Sequence, residues 1–235
     1  MGLSKGLNQS TPLHFAAQRG HLEVAKLLIQ NQADIYVTNA DFLAQVHNET
    51  ALDLASNHGH LKVVELLLQT ELQIKNLKFD YNSISAATYL GHLEVVKMLL
   101  ENGADINEKS GKSEFTPLHM AAIVGNDQMT EFLLQNGADV NARNNLNSTA
   151  LELASSNGYF EVVEILLNNG AETDIINGNN WTALEKAVMY RHVKIVEILL
   201  KHGAKIRQET YFNLTCYPAP RSSCEKLKDL LSSYQ

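Results

Sequence analysis

Nine histidines and two cysteines are the side chains in this sequence best suited to chemistry. Imidazoles and thiolates are the usual ligands of zinc, and ligand pairs sit a few residues apart. That spacing is missing here. His14 and His119 each close a Thr-Pro-Leu-His run, His21, His60 and His92 each follow a glycine, and His192 follows Arg191. No metal site is expected. Cys216 and Cys224 lack the His/Asn context of a thiol nucleophile and are too few for a disulfide framework. The glycines form neither G-x-G-x-x-G nor G-x-x-x-x-G-K-[ST], so no phosphate cradle is present. The expectation is a chain with no catalytic residue, no metal and no cofactor: not an enzyme.

What the histidines share is a period. Thr116, Thr149 and Thr182 stand 33 residues apart, and each opens a Thr-x-Leu run. Earlier copies open at Thr11 and Thr50. Another is worn, with Asn82-Ser83-Ile84-Ser85 in the motif's place but Gly91-His92-Leu93-Glu94-Val95-Val96 intact. The clearest copy runs from Phe115 to Ala142. There Thr116 can cap a helix and Pro117 suits its first position. Gly125 stops that helix, because glycine enters the left-handed region without strain. A second helix with Met129, Phe132, Leu133 and Leu134 ends at Gly137. Neither helix is long enough to stand alone in water, so each unit needs neighbours.

A 33-residue period carrying T-P-L-H-x-A is the pattern of ankyrin repeats, and the chain resembles that family over roughly Leu7 to Arg207. The resemblance implies an all-α fold: an ankyrin-repeat α-solenoid of helix-turn-helix units with hairpin loops. Residues 1–7 are then a lead. Six repeats follow at about 8–35, 47–74, 79–107, 113–141, 146–174 and 179–207, and residues 208–235 form a degenerate cap with a final helix. The family's motif histidine bonds the motif threonine and nearby backbone, which is the role implied for His14 and His119. Family members grip protein partners with finger tips and with two inner-helix positions on a concave face. Here those positions hold an apolar set: Phe79, Tyr81, Tyr89, Leu90, Phe115, Ile123 and Val124 in repeats three and four, and Trp181, Met189 and Tyr190 in repeat six. Aromatic clusters of this kind anchor interfaces. The expected function is a non-catalytic module binding a partner protein. Asn107 and Asn141 resemble asparagines that an asparaginyl hydroxylase modifies in some family members; the plainer reading is a hairpin asparagine bonding its own loop.

Composition sets limits. Net charge is −7 with no basic run, which argues against a nucleic-acid partner. No apolar run approaches the ~20 residues that insert into a membrane. The N-terminus has no secretory h-region, and two cysteines suit a reducing, cytoplasmic setting. Asn-rich wording such as NNLNS allows the alternative of an effector secreted by an intracellular bacterium into host cytosol. A monomer is expected.

Irregularities are informative too. Thr11 to Thr50 spans 39 residues, and the surplus falls in Ile35–Glu49. That loop is either drift or an extended finger carrying Phe42, Leu43 and Val46. Repeats two and three lack several motif residues and are expected to be the least stable. Glu23/Lys26, Lys62/Glu65, Glu94/Lys97 and Lys194/Glu197 are expected to pair along the outer helices. The helix Leu22 to Gln30 is expected to leave only Glu23, Lys26 and Gln30 to water. Arg191 replaces a turn glycine, so either the turn differs or strain near 1 kcal/mol is accepted. In the tail, Ser222 or Ser223 should cap a helix from Cys224 to Ser233 with Leu227, Leu230 and Leu231 on one face. It serves either as a cap for the last repeat or as a docking helix of an adaptor or regulatory subunit.

Overall fold

The computed structural model describes residues 10–39, 49–74, 83–208, 210 and 221–234. These residues are helical, joined by turns, with one isolated antiparallel bridge between Ser110 and Phe115. The chain divides into two compact units, Met1–Glu108 and Lys109–Gln235.

The first unit holds α1 (Pro12–Gln18), α2 (Leu22–Gln30), α3 (Ala51–Asn57), α4 (Leu61–Ile74), α5 (Ser83–Tyr89) and α6 (Leu93–Glu101). The short helices α1, α3 and α5 stack side by side as an inner row, and α2, α4 and α6 form an outer row against them. The second unit repeats the plan. Its inner row is α7 (Pro117–Val124), α9 (Ala150–Asn157) and α11 (Ala183–Tyr190). Its outer row is α8 (Asp127–Gln135), α10 (Phe160–Asn168) and α12 (Val193–Lys201), and α13 (Arg221–Ser232) packs on α12. Between the rows lies a core of small inner-helix residues such as Ala121, Ala154 and Ala187 against Leu133, Leu166 and Leu199. All six are buried, so the two rows approach closely.

Five inner helices start the same way. Thr11, Thr50, Thr116, Thr149 and Thr182 are extended N-cap residues whose hydroxyls accept the N–H three residues on. Such caps are worth about 1 kcal/mol each. Where the stop signal is missing, the helix runs on: α4 has 14 residues against nine in α6, because Gln69-Thr70-Glu71-Leu72 offers no glycine. Arg191 accepts the strain, with φ 63° and ψ 34°.

Three expectations are corrected. Helix α2 also leaves Val24 and Leu27 exposed, since α4 covers only one side of it. Lys26–Glu23 (3.0 Å) and Lys97–Glu94 (2.7 Å) form as expected, but Glu197 pairs with Lys201 at 2.7 Å and Glu65 accepts from Gln69 at 3.3 Å. In the two displaced pairs lysine precedes glutamate, the weaker order on a helix. Finally, α13 begins at Arg221, ahead of the serines read as its cap. Pro220 immediately precedes it in sequence, and a proline is compatible with the entry to a helix.

Candidate partner-binding surface

The motif positions are held by a buried slot at the third residue of each inner helix. In α1, His14 Nδ1 accepts the Thr11 N–H at 2.9 Å, so the proton sits on Nε2, which donates to the Glu49 carbonyl at 3.1 Å. His119 does the same with Thr116 (3.1 Å) and the Ser148 carbonyl (2.9 Å). Each imidazole thus ties a helix start to the finger of the next repeat. Burial pushes His119 below its ordinary pKa, against the opposing pull of the Ser148 carbonyl. Among the described residues, no three His, Cys, Asp or Glu side chains converge as a metal site would require.

The second histidine set does different work. His60, His92 and His192 lie across the inter-helix turn of the preceding repeat, their Nε2 atoms 3.1, 3.1 and 3.2 Å from the carbonyls of Gln18, Asn57 and Ser156. A Cβ on Gly20, Gly59 or Gly158 would strike these rings at 2.6–2.8 Å or closer. Tyr159 takes the same place over Gly125. The turn glycines therefore supply room as well as a left-handed backbone.

The fingers of the second unit form a hydrogen-bonded row. Asn145 donates its backbone N–H to Ser113 (3.2 Å) and its side-chain amide to Lys112 (2.6 Å), both to carbonyls. Gly178 N–H donates to the Leu146 carbonyl at 2.6 Å, and Arg207 reaches Asn180 Oδ1 at 3.3 Å. Asn144 and Asn177, one period apart, organise their loops alike, each Oδ1 accepting two backbone N–H groups at 2.9 to 3.0 Å. Asn141 departs from the plain expectation. Its Oδ1 accepts Glu172 N–H at 2.9 Å, so it bonds the following turn as well as its own.

Onto this frame fall the residues singled out from sequence. Phe79 and Tyr81 lie outside the described residues, as do Phe42, Leu43, Val46 and Cys216. Tyr89 ends α5 and Leu90 follows it; both are exposed, and both belong to the first unit. The other six belong to the second. Ile123 and Val124 end α7, and Met189 and Tyr190 end α11; Tyr190 is exposed and the other three are half-buried. Phe115 and Trp181, each half-buried, immediately precede the caps Thr116 and Thr182. The Phe115 ring rests against His119 (5.8 Å between centroids), and Lys186 Nζ lies 5.5 Å over the Trp181 ring. Two further apolar residues escaped the sequence reading. Leu146 and Ile176 sit at the finger tips and are exposed. Local sequence does not single them out: Ile176 follows Ile175, an identical residue that is buried.

Capped helix pairs, interlocked turns and a row of fingers define an all-α repeat protein of solenoid class. Comparison with known proteins agrees. The family model described as ankyrin repeats (3 copies) matches residues 2–78, 37–110, 84–177 and 118–210. The chain belongs to the ankyrin-repeat family. It is similar to the crystal structure of an ankyrin repeat domain from Acinetobacter baumannii AYE, with 27% identity and a TM-score of 0.66, covering 83% of this chain and 98% of that one. No curated protein matches. Ankyrin repeats are in general protein–protein interaction modules. Among the described residues no helix is long and apolar enough to cross a membrane.

Proposed function

We propose that this protein is a non-catalytic interaction module that binds a partner protein through its inner-helix and finger surface, the concave side in the family. One observation carries the reading. In the repeats between Lys109 and Arg207, the large apolar side chains left exposed are Leu146, Ile176 and Tyr190. All three lie on fingers or at the end of an inner helix, and none on the outer helices. Exposed apolar side chains gathered on one side mark a contact surface. Half-buried Phe115, Ile123, Val124, Trp181 and Met189 lie at the same finger and helix-end positions of their repeats, and Tyr89 and Leu90 give the first unit a like feature. The natural setting of such a module is a cytoplasm, the cell's own or a host's.

The alternative is an adaptor that docks through its C-terminal helix. Leu227 and Leu231 of α13 are fully buried, and α13 packs on α12. That burial favours a cap over a docking helix, whose apolar face would be free.

Affinity capture from eukaryotic lysate tests the reading, comparing the wild type with Leu146→Ala/Tyr190→Ala. Exposed sites of this kind change stability by about 0.5 kcal/mol or less each, so both proteins should melt within a few degrees of each other. The double variant should lose the captured partner. An unchanged set of captured proteins, with matching melts, would show that these side chains do not bind.

A further inference from the structure

Charge is sorted by side in the second unit. Outer helices α8 and α10 expose Asp127, Glu131, Glu161 and Glu164 and carry no lysine or arginine. The finger tips are the reverse. Lys112 and Arg143 are exposed there, and neither forms an ion pair among the described residues. Within 109–115, 142–149 and 175–182 the one acid is Glu114, and Lys109 already holds it at 3.3 Å. The slot acids Glu152 and Glu185 are buried. Asp139, Glu172 and Asp174 stand at the outer-helix end of their loops, not at the tips. The fingers that carry the two cations adjoin: Asn145, two residues beyond Arg143, donates to the Lys112 carbonyl at 2.6 Å. Leu146 follows Asn145 and is 54% exposed. Its carbonyl accepts the N–H of Gly178, two residues past Ile176, which is 43% exposed. Hydrogen bonds between fingers thus place two unpaired cations and two exposed aliphatic side chains on adjoining tips.

We propose that the partner segment taken by these fingers is an acidic peptide, in which an aliphatic or aromatic residue meets Leu146 and Ile176 while Asp or Glu side chains meet Lys112 and Arg143. The inference rests on the finger side being the binding surface, and adds the chemistry of what binds there. Complementarity of charge carries it. On a chain of net charge −7, an acidic segment is repelled by the outer helices and drawn to the fingers, so charge steers it to one side. A basic segment would be drawn to α8 and α10 instead, and at the fingers it would meet like charge. The aliphatic tips supply apolar burial, and the cations beside them in the row select and orient what is buried. A phosphate backbone is a poorer fit, because two cations on two fingers do not make the basic stripe that a nucleic acid needs.

Selection from a displayed library of random peptides on the full chain tests it, at about 12 residues each, a length that spans about 40 Å when extended. Enriched peptides should carry an excess of Asp and Glu around an apolar residue. Synthesised and labelled, they should bind Lys112→Glu/Arg143→Glu at least about tenfold more weakly, since an exposed ion pair is worth up to about fivefold and reversal adds repulsion. Their binding should also weaken as salt rises from about 50 mM to about 500 mM. Both substituted side chains are exposed, so the variant should keep the wild-type melt. Neutral or basic enriched peptides overturn the proposal, as do acidic peptides that bind the reversed variant unchanged. A library that yields no binder overturns it as well. So does a mixed-sequence oligonucleotide of about 20 nucleotides that binds more tightly than any peptide. The two readings part on their variants. Neutral peptides that are lost on Leu146→Ala/Tyr190→Ala would leave the binding surface standing and remove only its acidic preference.

Discussion

One buried slot shows opposite chemistries doing the same job. Its occupants include His14, Asp53, His119, Glu152 and Glu185. Each faces a capping threonine, and the acids at 53 and 185 accept that threonine's N–H at 2.8 Å as the imidazoles do. The outward atom differs. An imidazole offers an Nε2 proton, and a finger carbonyl meets it. A carboxylate offers a lone pair, so a donor is needed: Asp53 takes the Ser83 hydroxyl, and Glu185 takes Thr210 and Arg207. Glu152 has Lys186 Nζ at 3.8 Å on one oxygen, while the other has no partner. For His119 the consequence is a pH dependence. Burial lowers its folded pKa below the ordinary ~6.5, so the unfolded chain takes up the proton first on acidification. Its contribution is complete above about pH 6.5 and is lost as pH falls toward the folded value, at no more than about 1.4 kcal/mol per pH unit. Urea unfolding between pH 7 and pH 5 should show wild-type stability falling more steeply than that of His119→Gln, a variant that can still accept from Thr116 and donate to Ser148. Parallel slopes would mean the imidazole does not titrate differently on folding.

At the scale of the element, the helix-turn-helix is built from turns that interlock with the next repeat. Gly158 and Gly170 separate the two costs of a side chain there. Their φ values are 84° and 86°, yet a Cβ on Gly158 would lie 2.5 Å from the His192 ring and one on Gly170 meets nothing within 4 Å. Gly170→Ala should therefore cost only the backbone strain, about 1 kcal/mol. Gly158→Ala should cost about 2 kcal/mol or more, since it also displaces the ring and its bond to Ser156. Adding His192→Ala to Gly158→Ala should restore part of the loss; denaturant midpoints decide it, and equal costs for the two alanines would refute the interlock. The helices and their caps were legible in sequence because threonine, proline and glycine act locally. The steric half of the glycine's role was not, because its cause lies more than 30 residues away. Nor was the replacement of two expected ion pairs, which side-chain order on the helix decides. Of the candidate surface, aromatic positions could be read from the motif's free slots, but Leu146 and Ile176 could not, since loop exposure is a property of the folded row of fingers.

At the scale of the molecule, a repeat array is held by nearest neighbours, so its ends set its limits. The last repeat of the second unit is closed by α13, whose polar residues Glu225, Lys226, Lys228 and Asp229 are exposed while Leu227 and Leu231 are fully buried. Removing such a side chain from a core typically costs 2–5 kcal/mol. In a globular core that loss would be felt everywhere. In an array it should be local, because α13 packs on α12 while α7 to α10 keep their own neighbours. Leu227→Ala/Leu231→Ala should therefore raise amide hydrogen exchange in α11 and α12 strongly while leaving α7 and α9 close to wild type. Helices α12 and α13 would fray first, since Leu199 and Leu200 at the end of α12 lose cover before any inner helix does. If α13 were instead a docking helix resting loosely on the surface, the double variant would leave exchange in α12 unchanged. A uniform rise across the second unit would mean that the unit unfolds as one block and that the nearest-neighbour picture fails for it.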